Sequence, residues 1–170
     1  MEIKNYIFME IGNLKRGLMR VLDTLTPQEV GWRPGSGCNS IAIILLHIAR
    51  SEDSMMQSMM LGKPQIWESQ KWYEKLNLPI TDTGSHYTVD QVNTCFIPEI
   101  KDLLAYYEAV RTATKEQLNL WTAEDLDKKV TMPNYGELSI GVMLLVIVAH
   151  TNQHIGEISY LRGLQRGMDK

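Results

Sequence analysis

Cysteine is scarce in this chain. Its 170 residues hold two, Cys38 and Cys95, in unrelated contexts and with no Cys-x-x-Cys between them. That excludes a disulfide scaffold and points to a reduced, cytoplasmic setting. An excess of basic charge is also missing. Lys+Arg number 17 against 20 Asp+Glu, for a net charge of −3. Without a chain-wide positive field to draw phosphates, nucleic acid is not an expected partner. The longest apolar run, Ile140 to Ala149, is shorter than the about 20 residues that cross a bilayer, so no membrane partner is expected either. The first residues, MEIKNYIFMEIGNLKRG, mix charges into their apolar positions, and no signal peptide is read there.

What is present is ordinary for a soluble globular chain: 44% apolar and 22% charged residues. At about 150 residues per domain the length predicts a single domain over residues 1–170. Ile3, Ile7, Ile11, Leu14, Leu18, Val21 and Leu25 recur at spacings of four and three, one stripe of an amphipathic helix. Pro27 and the stretch from Gly31 to Gly37 read as a loop. Asn39 or Ser40 can cap a second helix over Ile41 to Leu61, stopped by Gly62 and Pro64. From Gly62 to Tyr87 the periodicity is lost, over a connection too long for a simple bundle turn. It carries Trp67, Trp72 and Tyr73, read as anchors packed on the body, with a short helical turn near Glu68 to Leu76.

Thr88 with Gln91 forms a capping-box pattern, so a third helix is predicted from there to about Gln117. Val92, Phe96, Leu103, Tyr106 and Val110 supply its stripe, and Pro98 is expected to kink it. Pro133, Asn134 and Gly136 read as turn residues, and Ser139 as the cap of a last helix from Ile140 to about Leu164. The apolar start of that helix points to burial all round, with a partner subunit as one means of supplying it. Four long helices and no convincing strand pair give an all-α four-helix bundle with a long connection between helices 2 and 3.

The chain has four histidines: His47, His86, His150 and His154. Residues four apart on a helix share a face, with Cβ atoms about 5–6 Å apart. His150 and His154 can therefore converge on one ion at about 2.0–2.1 Å per Zn–N bond. His47 is the one ionisable side chain within the apolar stretch Ile41 to Ala49. From spacing alone two readings stand: a three-histidine metal site, or core histidines hydrogen-bonded to neighbours. If a metal is held, three imidazoles suit Zn, Ni, Cu or Fe over Mg or Ca. Three protein ligands would also leave open positions, as catalytic sites do. Glu157 follows His154 by three and can orient a ligand histidine, act as a catalytic base, or sit in solvent as a plain helix charge.

Other constellations fail. The sequence has no His-Glu-x-x-His, no Glu-x-x-His, no Gly-x-Ser-x-Gly and no phosphate loop after Gly35-Ser36-Gly37. Met55, Met56, Met59 and Met60 could offer sulfur to Cu(I), although core filling is the commoner use of such a cluster. Cys38 precedes a helix N-terminus but has no partner base, and is read as structural.

The stretch Asn39 to Glu52, preceded by Trp32-Arg33-Pro34, resembles the start of the DinB-like superfamily. His150-Thr151-Asn152-Gln153-His154-Ile155-Gly156 resembles its closing His-x-x-x-His-x-Gly signature. The middle, Trp67-Glu68 through Trp72 to Thr83–Thr88, is similar to one branch of it. The resemblance implies a four-helix bundle, often dimeric, with a divalent metal on His47, His150 and His154. Glu157 stands where relatives often carry Gln, and no ligand role carries over to His86. Relatives include bacillithiol and mycothiol transferases and mycothiol-dependent maleylpyruvate isomerase. The expectation is therefore a Zn- or Ni-dependent thiol S-transferase acting on a small-molecule substrate, one reactant being a low-molecular-weight thiol. A hydrolase using metal-bound water and a non-enzymatic, stress-linked metal-binding protein are the alternatives.

Overall fold

The computed structural model describes residues 2–132 and 136–167. Pro133 and Asn134, two of the expected turn residues, lie outside them.

Helix α1 (Ile3–Leu22) buries Ile7, Ile11, Leu14 and Leu18, as its stripe predicts. The segment after it is not all loop. Thr26 and Glu29 bond reciprocally as a capping box around a short α2 (Pro27–Gly31), with Pro27 in its first turn, a Thr-Pro-x-Glu signal that the loop reading missed. Ser40 caps α3 (Ile41–Asp53), its Oγ accepting from the Ile43 N–H at 3.3 Å. Beyond Asp53 the helix continues but widens into a π-helical segment, Ser54–Met60.

The long connection holds two short helices, α4 (Ile66–Ser69) and α5 (Trp72–Lys75). Its aromatic anchors pack as expected. Trp67 is fully buried against Tyr106 and donates its Nε1–H to the Ile80 carbonyl at 2.9 Å. Trp72 packs on the same tyrosine.

Thr88 and Gln91 form the predicted capping box at the start of α6 (Val89–Thr94). The helix does not kink at Pro98; it stops at Thr94 and restarts as α7 (Ile100–Leu120). Pro98 has no N–H to give and drives the residue before it toward extended backbone. Phe96, expected in the stripe, therefore falls in the break and is 56% exposed.

A third capping box, Thr122 with Asp125, opens α8 (Ala123–Asp127). The chain then pairs β1 (Lys129–Met132) with β2 (Gly136–Ser139), antiparallel, with Val130 opposite Leu138. This corrects the expectation of no strand pair. Each strand has four residues and only Met132 is buried, so no alternating pattern is long enough to read. The fold class is unaffected. Ser139 caps α9 (Ile140–Arg166) by accepting from the Val142 N–H. Burial at its start is one-sided within the chain: Met143, Leu144 and Ile147 are buried, while Val142, Leu145 and Val146 are exposed.

Helix α1 packs on α9, α9 on α3, and α3 on α7. A Lys15–Glu108 ion pair joins α7 back to α1. Ile7 and Ile11 share a core cluster with Leu144 and Ile147, while Leu18 and Leu22 share another with Ile158 and Leu161. Helices α1 and α9 therefore run the same way. By the same reasoning α3 and α7 both run from the second of these clusters to the first. Two parallel neighbours need a crossover the length of the bundle. That is why the connection from Gly62 to Tyr87 is long, and why it lies back along α3.

Candidate metal centre

One turn of α9 presents His150 and His154 to a common face, and α3 brings His47 against them. The three rings pack with centroids 4.4–4.9 Å apart. Nε2 of His47 lies 3.0 Å from Nε2 of His150, which lies 3.1 Å from Nε2 of His154. All three are half-buried.

The outer nitrogens fix which atoms face inward. Nδ1 of His47 is 3.0 Å from the Gly84 carbonyl, which can only accept, so this nitrogen carries the proton. Ser85 Oγ is 2.9 Å from the same nitrogen. Nδ1 of His154 is 2.7 Å from Glu157 Oε2, and there too the proton lies on Nδ1. Both rings therefore turn a bare Nε2 lone pair toward His150. Lone pairs at such distances repel unless a cation lies among them or a proton on His150 Nε2 is shared with them. Ligands sharing one ion with bonds of about 2.0–2.1 Å stand about 3.0–3.4 Å apart, so the residues fit a divalent transition metal. Among the described residues these three form the group of side chains that could hold one.

Burial pushes the His150 imidazole down from the usual 6.5 to about 4, with His154 and His47 adding to the effect. Burial also lowers His47. Both rings are thus neutral at pH 7, as ligation requires. A histidine depressed in the fold contributes stability that is full above its unfolded value and lost as pH falls through its folded one. In the metal-free protein these rings are expected to add no pH dependence to melting well above pH 6.5 and to lower the melting temperature progressively from there toward about 4. Melting curves across that range check this, and His150→Ala should flatten them.

The sequence reading missed what holds His47. The loop Asp82–Tyr87 lies against α3, tied by bonds from the Gly84 N–H at 2.7 Å and the Tyr87 hydroxyl at 2.6 Å to Asp82 Oδ1. Gly84 has φ +66°, and a Cβ there would sit 2.9 Å from Cγ and 3.1 Å from Cβ of Arg50. Only glycine lets the carbonyl approach His47 this closely. Gly84→Ala is expected to cost about 1–3 kcal/mol of stability. It should also weaken metal binding about 10–100-fold through the lost outer bond, read by thermal melting and a chelator competition.

Glu157, 45% exposed at its side chain, reaches His154 and nothing else in the cluster. Glu157→Leu is expected to weaken metal binding about 10–100-fold, and Glu157→Gln, which keeps an acceptor oxygen, by less. The same competition measures both. His86 stands apart from the three ligands. It is exposed, at φ +56°, and borders two clefts. One, of about 260 Å³, reaches His47 and His154 past Tyr87. The other, of about 380 Å³, reaches His47 and His150 past Arg50 and Met59. The four methionines belong to the π segment. Met55, Met56 and Met60 fill core, and Met55 and Met59 also border the larger cleft.

No helix among the described residues is long and apolar enough to cross a membrane. No curated protein matches the chain. A crystal structure of a conserved protein from Enterococcus faecalis is similar in fold, with a TM-score of 0.85 over 99% of each chain at 22% identity. The sequence profile of the DinB superfamily matches residues 14–158. With a helical bundle around a three-histidine cluster, the chain belongs to the DinB superfamily.

Proposed function

We propose that the protein is a metal-dependent enzyme of the thiol S-transferase type. The observation that carries this is the set of three inward Nε2 atoms bordered by two clefts. A zinc or nickel ion bound there supplies a site at which a thiol stays ionised at neutral pH. The chain's own residues do the rest. Gly84 and Glu157 hold the Nδ1 protons of His47 and His154 and so keep their Nε2 atoms bare. Glu157 acts as a positioning residue in this reading. The two clefts give room for two reactants, and the Asp82–Tyr87 loop between α3 and solvent limits water. In the reaction the thiol gives its proton to solvent, sulfur bonds to an electrophilic carbon, and the leaving group departs with its electron pair.

The test is conjugation of cysteine to 1-chloro-2,4-dinitrobenzene by protein loaded with zinc or nickel. Each turnover releases one chloride and one proton. A rate that requires both ion and thiol supports the proposal. Ester hydrolysis indifferent to added thiol, with no conjugation, would overturn it in favour of the hydrolase. Tightly held metal with neither activity would favour a binding protein. A homodimer belongs to the same proposal, since Val142, Leu145 and Val146 leave an apolar strip on α9. Sedimentation measures it.

A further inference from the structure

The larger cleft has a wall that the histidines do not explain. At about 380 Å³ it lies within the range of small-molecule sites. Arg50, one turn beyond His47 on α3, borders it although only 6% exposed. The guanidinium is held on several sides. Its Nε–H donates to the Asp82 carbonyl at 3.2 Å, and Nη1 donates to Gln65 Oε1 at 2.6 Å and to the Tyr106 hydroxyl at 3.4 Å. Its carbon lies 4.4 Å over the Trp67 ring. Nη2 has no hydrogen-bond partner among the described residues.

Asp53 pairs with this charge through Nη1 and leaves Nη2 to the cleft side. Its Oδ2 is 3.8 Å from Nη1. Its oxygens already accept from the Ile66 and Trp67 N–H groups, both at 2.8 Å, and from the Tyr106 hydroxyl at 2.7 Å. A rigid, nearly buried cation with one free edge thus borders a cleft. Opposite in character are Met55, Met59 and Met132, soft and unbranched, which accommodate apolar bodies of varied shape. The π winding helps to build this wall. An i→i+5 repeat sets Ser54 and Met59 on one face, and π turns concentrate at functional sites.

We propose that this cleft binds a small organic acid, with the carboxylate on the free edge of Arg50 and the apolar body against Met55, Met59 and Met132. The inference rests on the thiol-transfer reading only in making the acid one of its two reactants. The carboxylate can belong to the thiol or to the electrophile, and the probes separate the two.

Calorimetry on zinc-loaded protein compares 3-mercaptopropionate, 2-mercaptoethanol and butyrate, with butyrate also titrated into metal-free protein and in the presence of 2-mercaptoethanol. A charge-assisted hydrogen bond predicts at least about a tenfold advantage for a carboxylate. If the acid is on the thiol, 3-mercaptopropionate binds that much tighter than 2-mercaptoethanol. If it is on the electrophile, butyrate binds beside 2-mercaptoethanol. Arg50→Gln should erase either advantage while metal content and 2-mercaptoethanol affinity hold. Arg50 also braces Gln65 and Trp67, so Ser54→Glu provides a second variant. It keeps those contacts and sets a competing carboxylate one turn beyond Arg50. Equal binding of acid and neutral probes by the wild type overturns the proposal, as does a carboxylate preference that survives both variants. Arg50-dependent butyrate binding without any 2-mercaptoethanol binding supports the proposal and overturns the thiol reading instead.

Discussion

The His150→Ala protein, prepared without a histidine tag, is expected to retain no divalent ion where the wild type retains about one per chain, and to lose all metal-dependent turnover. His150 is the middle member of the cluster, 3.0 Å from one partner nitrogen and 3.1 Å from the other. Without it, two imidazoles from different helices remain, and each carries an outer hydrogen bond that cannot replace a ligand. The loss should exceed the about 10–100-fold that follows from breaking an outer bond alone. The fold should survive. His150 is half-buried, and alanine is the best helix former for its place in mid-α9. Metal analysis alongside circular dichroism therefore separates loss of the ion from loss of the fold. A folded His150→Ala protein with full metal content would remove His150 from the ligand set. Alanine variants of His47 and His154, and the triple variant, complete the series.

The second large effect lies away from the site. Arg111 and Glu52 form an ion pair at 2.6 Å, each side chain 1% exposed. Thr114 donates to the other Glu52 oxygen at 2.7 Å, and the guanidinium lies 5.0 Å from the centre of the Tyr107 ring. Tyr107 shares that burial, and its hydroxyl is pushed up to about 12. Breaking such a pair leaves a charge stranded in the core. Arg111→Met is expected to cost about 3–5 kcal/mol, because Glu52 must then shed its charge or draw in water. In a chain of this length that lowers the melting temperature by about 6–20 °C. Adding Glu52→Leu to Arg111→Met should recover most of the loss, since a matched apolar pair is often neutral or better. Thermal melting of the single and double variants checks this. A double variant no better than the single one would show that the pair's shape, and not its stranded charge, sets the cost.

The features legible in the sequence depend on neighbours in the chain. Ser40, Thr88 with Gln91 and Ser139 each announce a helix start within three residues, and the structure uses all of them. The spacing of His150 and His154 is likewise local, and it alone put two candidate ligands on one face. What escaped was written at a distance or in too few residues. Glu52 and Arg111 carry no local mark of each other, because nothing near either one specifies a buried partner 59 positions away. The Gly84 carbonyl reaches His47 from 37 positions away, through a crossover that lies back along α3. Ser54–Met60 carries no sign of its wider winding, since its methionines suit either helix. The β1–β2 hairpin was too short to show a period. Pro98 marked the right place, but its consequence, a break in place of a kink, depends on how α6 and α7 dock separately.

His47 and His150 are 103 positions apart in the chain and 3.0 Å apart in space. An ion gripping both would act as a reversible cross-link across most of the polymer. Closing a loop of about 100 residues removes about 4.7 kcal/mol of disorder from the unfolded chain in the simplest entropic account. Metal supply would then govern persistence as well as chemistry. Molecules formed under scarcity would open more often, exchange their amide protons sooner and meet proteases earlier than loaded ones of identical sequence.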